Sequence, residues 1–249
     1  MKFSANLGFL WADRPLPDAI HAAHAAGFDA VECHWPYNTP AADVRAALDA
    51  TGLPMLGLNT SRGDVAAGEN GLAALPDRVA DARAAIDQAI AYADVVDAGA
   101  IHVMCGFASG AQAHATFVDN LRYACAATSR KILIEPLNRH DAAGYFLQTT
   151  DQARALIAEV GAPNLKLMFD CYHVGRTEGD ILTRLDDLHD LIGHIQFASV
   201  PDRGAPDHGE LDYATIFAHL TAWPAPLGAE YKPGGDTDAT LGWLNTARG

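Results

Sequence analysis

A single (β/α)8 barrel spanning residues 1–249 is the fold this sequence predicts, and three observations lead to it. Short apolar runs alternate with longer helix-like stretches along the whole chain, eight of each. The apolar runs are mostly continuous, as befits parallel strands covered by helices. The stretch after the first run, "SANLGFLWADRP", holds one glycine, whereas a doubly wound open sheet calls for a glycine-rich phosphate loop there.

Taken in order, "KFSAN" (Lys2–Asn6) is the first strand, followed by a helix over about Pro17–Ala26 that stops at Gly27. "DAVE" (Asp29–Glu32) precedes a helix over about Pro40–Ala50, closed by Gly52. "PMLGLN" (Pro54–Asn59) leads through a long loop to an alanine-rich helix over about Pro76–Asp97. "AIHVM" (Ala100–Met104) leads to a helix near Gln112–Ser129, and "KILIE" (Lys131–Glu135) to one near Thr150–Val160. "LKLMFD" (Leu165–Asp170) is followed by a helix near Asp180–Leu188, and "IGHIQF" (Ile192–Phe197) by one near Tyr213–Leu220. "PLGAEY" (Pro226–Tyr231) opens the last unit, whose helix is expected near Thr237–Thr246. Proline at helix starts and glycine past helix ends punctuate the pattern. No internal repeat beyond the βα unit, no low-complexity segment and no linker divides it.

A hydrophobic content of 49% in 249 residues suffices for one sizeable core. The formal net charge of −14 repels polyanions, which argues against a nucleic-acid partner but not against a small anion met by a local cation. The four cysteines are widely spaced without a CxxC pair, as in a reduced cytoplasmic protein. "MKFSANLGFLW" reads as a first strand rather than a signal peptide, and no apolar run reaches the roughly 18 residues of a membrane span. A cytoplasmic protein without a membrane partner is expected; a homo-oligomer is compatible with these features.

Four polar residues fall at corresponding places. Glu135 ends the fifth expected strand, Asp170 the sixth, Gln196 lies near the end of the seventh and Glu230 near the end of the eighth. The C-terminal rim, where barrel active sites are built, would therefore receive an oxygen-bearing side chain from each of four consecutive strands. For any one of them a solvated loop acid or a helix N-cap is the plain alternative. Three carboxylates in one mouth repel one another, and a divalent cation removes the conflict. Carboxylate and amide oxygens without cysteine point to one hard ion, Mg²⁺ or Mn²⁺.

Longer motifs make the likeness specific. "IEPLNRHDAAGYFL", "NLKLMFDCYHVGRTEGD", "GHIQFASVPDRGAPDHGELDY" and "AEYKP", with "FSANLGFL", "AGFDAVE", "GDVAAGENGLAALP" and "NLRYA", span residues 3–233. With them the chain resembles the hydroxypyruvate isomerase family, within the xylose-isomerase-like barrels that also contain the ketose 3-epimerases. The resemblance implies metal ligation by Glu135, Asp170, Gln196 and Glu230, with Glu135 and Glu230 as the paired acid and base. Glutamine at position 196, where related epimerases carry histidine, favours the isomerase branch. His173 and Arg203 match family positions that touch substrate oxygens.

A carbonyl shift between neighbouring carbons needs a base and an acid flanking an enediolate, with the cation stabilising its charge. A substrate carboxylate would need a cation, for which Arg203 and Lys232 are the candidates. The alternative for Lys232 is a surface lysine, and for His173 a core histidine. Asp141 would orient a substrate hydroxyl or cap the next segment; Asn59 would face the substrate or form a turn. "CHWPYN" (Cys33–Asn38) and "LNTSRGD" (Leu58–Asp64) depart from the family pattern and follow strands two and three, where they bear on substrate identity.

The expected activity is thus isomerisation of a small hydroxy-keto acid, hydroxypyruvate to tartronate semialdehyde or a 2-oxo-tetronate analogue. A ketose 3-epimerase acting on a longer sugar and a non-catalytic metabolite-binding barrel are the alternatives. A metal nuclease on the same kind of barrel would need several metals, many histidines and a basic surface.

Overall fold

The structure, a computed structural model, describes residues 1–248. Eight parallel strands line up in one sheet: β1 (Phe3–Asn6), β2 (Ala30–Glu32), β3 (Gly57–Asn59), β4 (Ala100–His102), β5 (Lys131–Ile134), β6 (Leu165–Asp170), β7 (Ile192–Phe197) and β8 (Leu227–Ala229). Strand β1 pairs with β2 on one side and β8 on the other. The remaining seam, between β2 and β3, is closed by Leu56 N–H donating to Val31 O (2.7 Å), Val31 N–H to Pro54 O (3.0 Å) and Cys33 N–H to Gly57 O (3.1 Å). The ring is a nearly closed (β/α)8 barrel, the architecture expected.

Around it lie α1 (Leu16–Ala25), α2 (Ala41–Thr51), α3 (Val79–Val96), α4 (Gly110–Ala127), α5 (Thr150–Val160), α6 (Cys171–Thr177), α7 (Ile181–Leu188), α8 (Tyr213–His219) and α9 (Gly242–Arg248). Local sequence explains their limits. Thr149 caps α5 by accepting from Gln152 N–H, and Ala153, Leu156 and Ile157 bury one face of it. Gly161 then ends it at φ 69°, a left-handed conformation that glycine adopts without cost.

Two elements differ from expectation. Residues 171–177 read as a loop, yet form α6, because Asp170 Oδ1 accepts from Tyr172 N–H (2.8 Å) and starts a helix directly at the strand end. Gly175 hides that helix in the sequence. It permits a close approach, since a Cβ there would lie 3.2 Å from both Leu211 and Val200. The last helix begins only at Gly242, after the "PGGD" turn and a short 3-10 segment over Asp238–Thr240.

Alternation along the strands sorts side chains between two cores. Outward-facing Phe3 and Phe197 meet Phe217 of α8 and Trp243 of α9 edge to face, with ring centroids 5.1–5.9 Å apart. Inside, Ala100, Leu133 and Met168 form an apolar plug. Two residues further along each strand the interior turns polar, and every strand delivers one such side chain to the C-terminal end: Asn6, Glu32, Asn59, His102, Glu135, Asp170, Gln196 and Glu230. Because Phe197 is anchored outward, Gln196 beside it is aimed inward, next to Asp170 in the β6–β7 ladder.

Candidate active site

A cavity of about 170 Å³ opens at this rim, with Glu135, Glu230, His173 and Arg203 in its lining and Phe9, His34 and Trp35 as its aromatic wall. A larger groove of about 860 Å³ runs between α8 and α9, but none of the strand-end acids lines it.

Glu135 follows the last residue of β5 and is buried. Its Oε2 lies 3.6 Å from His102 Nδ1, and its Oε1 has no hydrogen-bond partner among the described residues. Asp170 spends Oδ1 on the cap of α6, while buried Oδ2 has no hydrogen bond among the described residues and lies 3.6 Å from His173 Nε2 and 3.7 Å from Arg203 Nη2. Gln196 donates Nε2–H to Glu32 (2.8 Å), leaving its buried Oε1 without a partner among the described residues. Both Glu230 oxygens are hydrogen-bonded: Oε1 accepts from Asn6 Nδ2 (3.0 Å) and His34 Nε2 (2.9 Å), and Oε2 from Arg203 Nη2 (2.5 Å), which leaves a lone pair on Oε2. Glu135, Asp170 and His173 each place one ligating atom within 4.8 Å of the others.

The charges are undercompensated. Burial raises the Glu135 carboxyl well above its ordinary range, and Glu230 and Asp170 push it further. Burial, then Glu230, lifts Asp170 to about 7 against the pull of Arg203. Burial also acts upward on Glu230, but Arg203 and the His34 hydrogen bond hold it well below the usual carboxylate range. One guanidinium therefore serves three buried carboxylates. Three orphaned oxygens from adjacent strands, all hard donors beside excess negative charge, fit a divalent cation.

His173 belongs to that cluster in a different capacity. Its Nδ1 accepts from Asn138 N–H (3.0 Å), which assigns the remaining proton to Nε2. Burial and Arg203 lower it to about 3, so the ring is neutral and offers Nε2–H rather than a lone pair to the cavity. Burial likewise lowers His102 to about 3.

Arg203 adopts φ 59° on the β7–α8 loop, and Lys232 N–H holds its carbonyl (2.7 Å). Its guanidinium sits between the rings of Phe9 and Tyr172, 4.9 Å from each centroid. With one Nη2–H on Glu230, buried Nε–H is left without a partner among the described residues. Asp141, exposed at the cavity edge, accepts from Tyr172 Oη–H (2.7 Å) and Asn138 Nδ2 (3.0 Å). Asn59 is half-buried and lines the cavity.

Lys232 does not join them. Its side chain is exposed and does not line the cavity, because β8 ends at Ala229 and strand alternation no longer governs position 232. Several cavity residues lay outside the sequence reading. His102 lines the cavity from within the "AIHVM" run, while Glu32, which closes "AVE", lies outside its lining. His34 and Trp35 come from the "CHWPYN" stretch that departs from the family pattern.

The sequence model of the xylose isomerase-like TIM barrel family matches residues 20–247. A 2-oxo-tetronate isomerase of Cupriavidus necator is 45% identical over 252 residues, which cover 98% of this chain and 97% of that one. A hydroxypyruvate isomerase of Escherichia coli is 36% identical over 260 residues, covering 100% of both. A crystal structure from Brucella melitensis, of a protein called AP endonuclease, family 2, superposes with a TM-score of 0.93 at 34% identity over 98% of each chain. End-to-end matches of this kind, on a barrel whose polar rim lies where the family's motifs fall, place this chain in the xylose isomerase-like TIM barrel family, among the hydroxypyruvate and 2-oxo-tetronate isomerases.

Proposed function

We propose that the chain is a divalent-cation-dependent isomerase of a short hydroxy-oxo acid, of the class that includes hydroxypyruvate and the 2-oxo-tetronates. The observation that carries the reading is a pair of buried glutamates, Glu135 and Glu230, rising from β5 and β8 beside oxygens that have no hydrogen-bond partner among the described residues. One glutamate takes the proton from the carbon next to the carbonyl, and the other returns a proton to the former carbonyl carbon, through an enediolate. Mg²⁺ or Mn²⁺ held by Glu135, Asp170, Gln196 and Glu230 would act as the Lewis acid for the developing negative charge.

His173 Nε2–H and Arg203 Nε–H are the donors for substrate oxygens, the arginine taking the carboxylate. Asn59 and Asp141 stand at the edge for a hydroxyl. Phe9 and Trp35 restrict water at the mouth. The cavity's 170 Å³ supports a small substrate, being below the ~300–1,000 Å³ of pockets for drug-sized ligands. The excess of acidic over basic residues, 31 against 17, speaks against DNA as substrate. Four free cysteines fit a reducing, cytoplasmic setting, and among the described residues no helix is long and apolar enough to cross a membrane.

The test is incubation in D2O with hydroxypyruvate, 2-oxo-tetronates and free ketoses, with Mg²⁺ or Mn²⁺ against a chelated control, read by NMR. Metal-dependent deuterium uptake is expected with the oxo acids, with an aldehyde formed from hydroxypyruvate and a 3-oxo acid from a 2-oxo-tetronate. Exchange with ketoses alone would transfer the chain to the 3-epimerases, and no exchange with any substrate would leave a binding barrel.

A further inference from the structure

Beneath the rim, Glu32 at the end of β2 is 3% exposed and is hydrogen-bonded by three side-chain nitrogens. Oε1 accepts from Asn6 Nδ2 (3.0 Å) and Gln196 Nε2 (2.8 Å), and Oε2 lies 2.6 Å from His194 Nε2. A carboxylate is costly in such a place, and a neutral side chain would fill the volume without that cost. The fold nevertheless makes room for it. A Cβ on Gly228 would come within 2.7 Å of Glu32 Oε1 and 2.9 Å of His194 Nε2.

We propose that Glu32 is a positioning residue for the cation site, dictating which atom Gln196 and Asn6 turn toward it. A carboxylate only accepts, so each neighbouring amide must present its N–H2 to Glu32 and its oxygen elsewhere. Were Gln196 reversed, its carbonyl oxygen would press against Glu32 and its N–H2 would enter the cluster of site acids. Oriented as it is, with Nε2 on Glu32, Gln196 leaves Oε1 as the oxygen without a hydrogen-bond partner among the described residues. Asn6 is fixed from both ends. Gly8 N–H donates to its Oδ1 (2.9 Å), and its Nδ2 spans Glu32 and Glu230. Glu32 thereby sets two of the four side chains assigned to the cation, one directly and one through Asn6, as outer partners of metal ligands do.

This rests on the cation reading above, and the experiment separates the two. Mn²⁺ binding is measured by calorimetry on wild type, Glu32→Leu and Glu32→Gln, with folding followed by circular dichroism. Wild type binds one Mn²⁺. The Kd rises about 10–100-fold in folded Glu32→Leu, and by a smaller factor in Glu32→Gln, whose N–H2 opposes one of the three donors. Glu32→Gln is nearly isosteric and decides the matter if Glu32→Leu does not fold. A merely structural role lowers thermal stability while the folded variants bind Mn²⁺ as wild type does, and that outcome overturns this inference alone. Absence of Mn²⁺ binding by wild type overturns it together with the cation reading.

Discussion

Glu135→Gln is expected to lose about 10²–10⁴-fold in kcat, the range supplied by a positioned acid or base, while remaining folded. Glutamine keeps the shape and one oxygen of the side chain but cannot carry the proton. The variant should also be more stable than wild type when no cation is bound at neutral pH. It removes one of three carboxylates crowded around a single guanidinium, and that crowding raises Glu135 in the first place. Glu230→Gln is expected to lose at least as much kcat and, unlike Glu135→Gln, to raise KM. Glu230 is the partner of Arg203 and His34, so its neutralisation releases the arginine that meets the substrate. Steady-state kinetics with thermal melts of both variants check this. Turnover within tenfold of wild type in either variant would remove the acid–base pair.

The second large effect is a pH-dependent response to chelation. Burial and Glu230 push Asp170 up to about 7 in the folded protein, against an ordinary carboxylate value near 4 once unfolded. Between those values the folded state holds a proton that the unfolded state has released, so stability falls as pH rises from about 4 to about 7. Glu135 is raised and acts in the same direction. Glu230 is lowered, so its contribution is present above its unfolded pKa and is lost in acid, below this window. A cation binds the deprotonated oxygens, and its stabilisation is therefore greatest above pH 7. At a hundredfold excess over Kd it amounts to about 2.7 kcal/mol, or roughly 5–10 °C in Tm for a chain of this size. Scanning fluorimetry should show that drop on chelation at pH 8 and little change at pH 5.5, with Asp170→Asn flattening the slope of the cation-free protein. A cation-free Tm that climbs from pH 5 to 7.5 would contradict this account of the charges.

Much of this was legible before any coordinates, because both the barrel and its rim are written as local patterns. A buried parallel strand must be an apolar run, and a carboxylate closing such a run, as in "KILIE" or "LKLMFD", is out of place unless it serves the mouth. The same reasoning would have marked Glu32, which closes "AVE"; Asn6 and His102, which are not carboxylates and are followed by further apolar residues, complete the ring in the first half of the barrel without that signal. What stayed hidden depends on distant partners. The hold of Arg203 on Glu230 joins two loops brought together only by the closed sheet, and the tautomer of His173 is decided by a backbone N–H 35 residues away. Helix α6 escaped because its start is one capping contact and its middle is a glycine. Lys232 stands out in the sequence for its charge alone, and its side chain is exposed and outside the cavity lining, as the surface-lysine alternative has it.

Soaking crystals with Mn²⁺ and recording anomalous diffraction at the manganese edge tests the central claim most directly. A single peak bonded to oxygens of Glu135, Asp170, Gln196 and Glu230 is the predicted result. No bound manganese there, or manganese held by other side chains while these oxygens find partners within the protein, would contradict it.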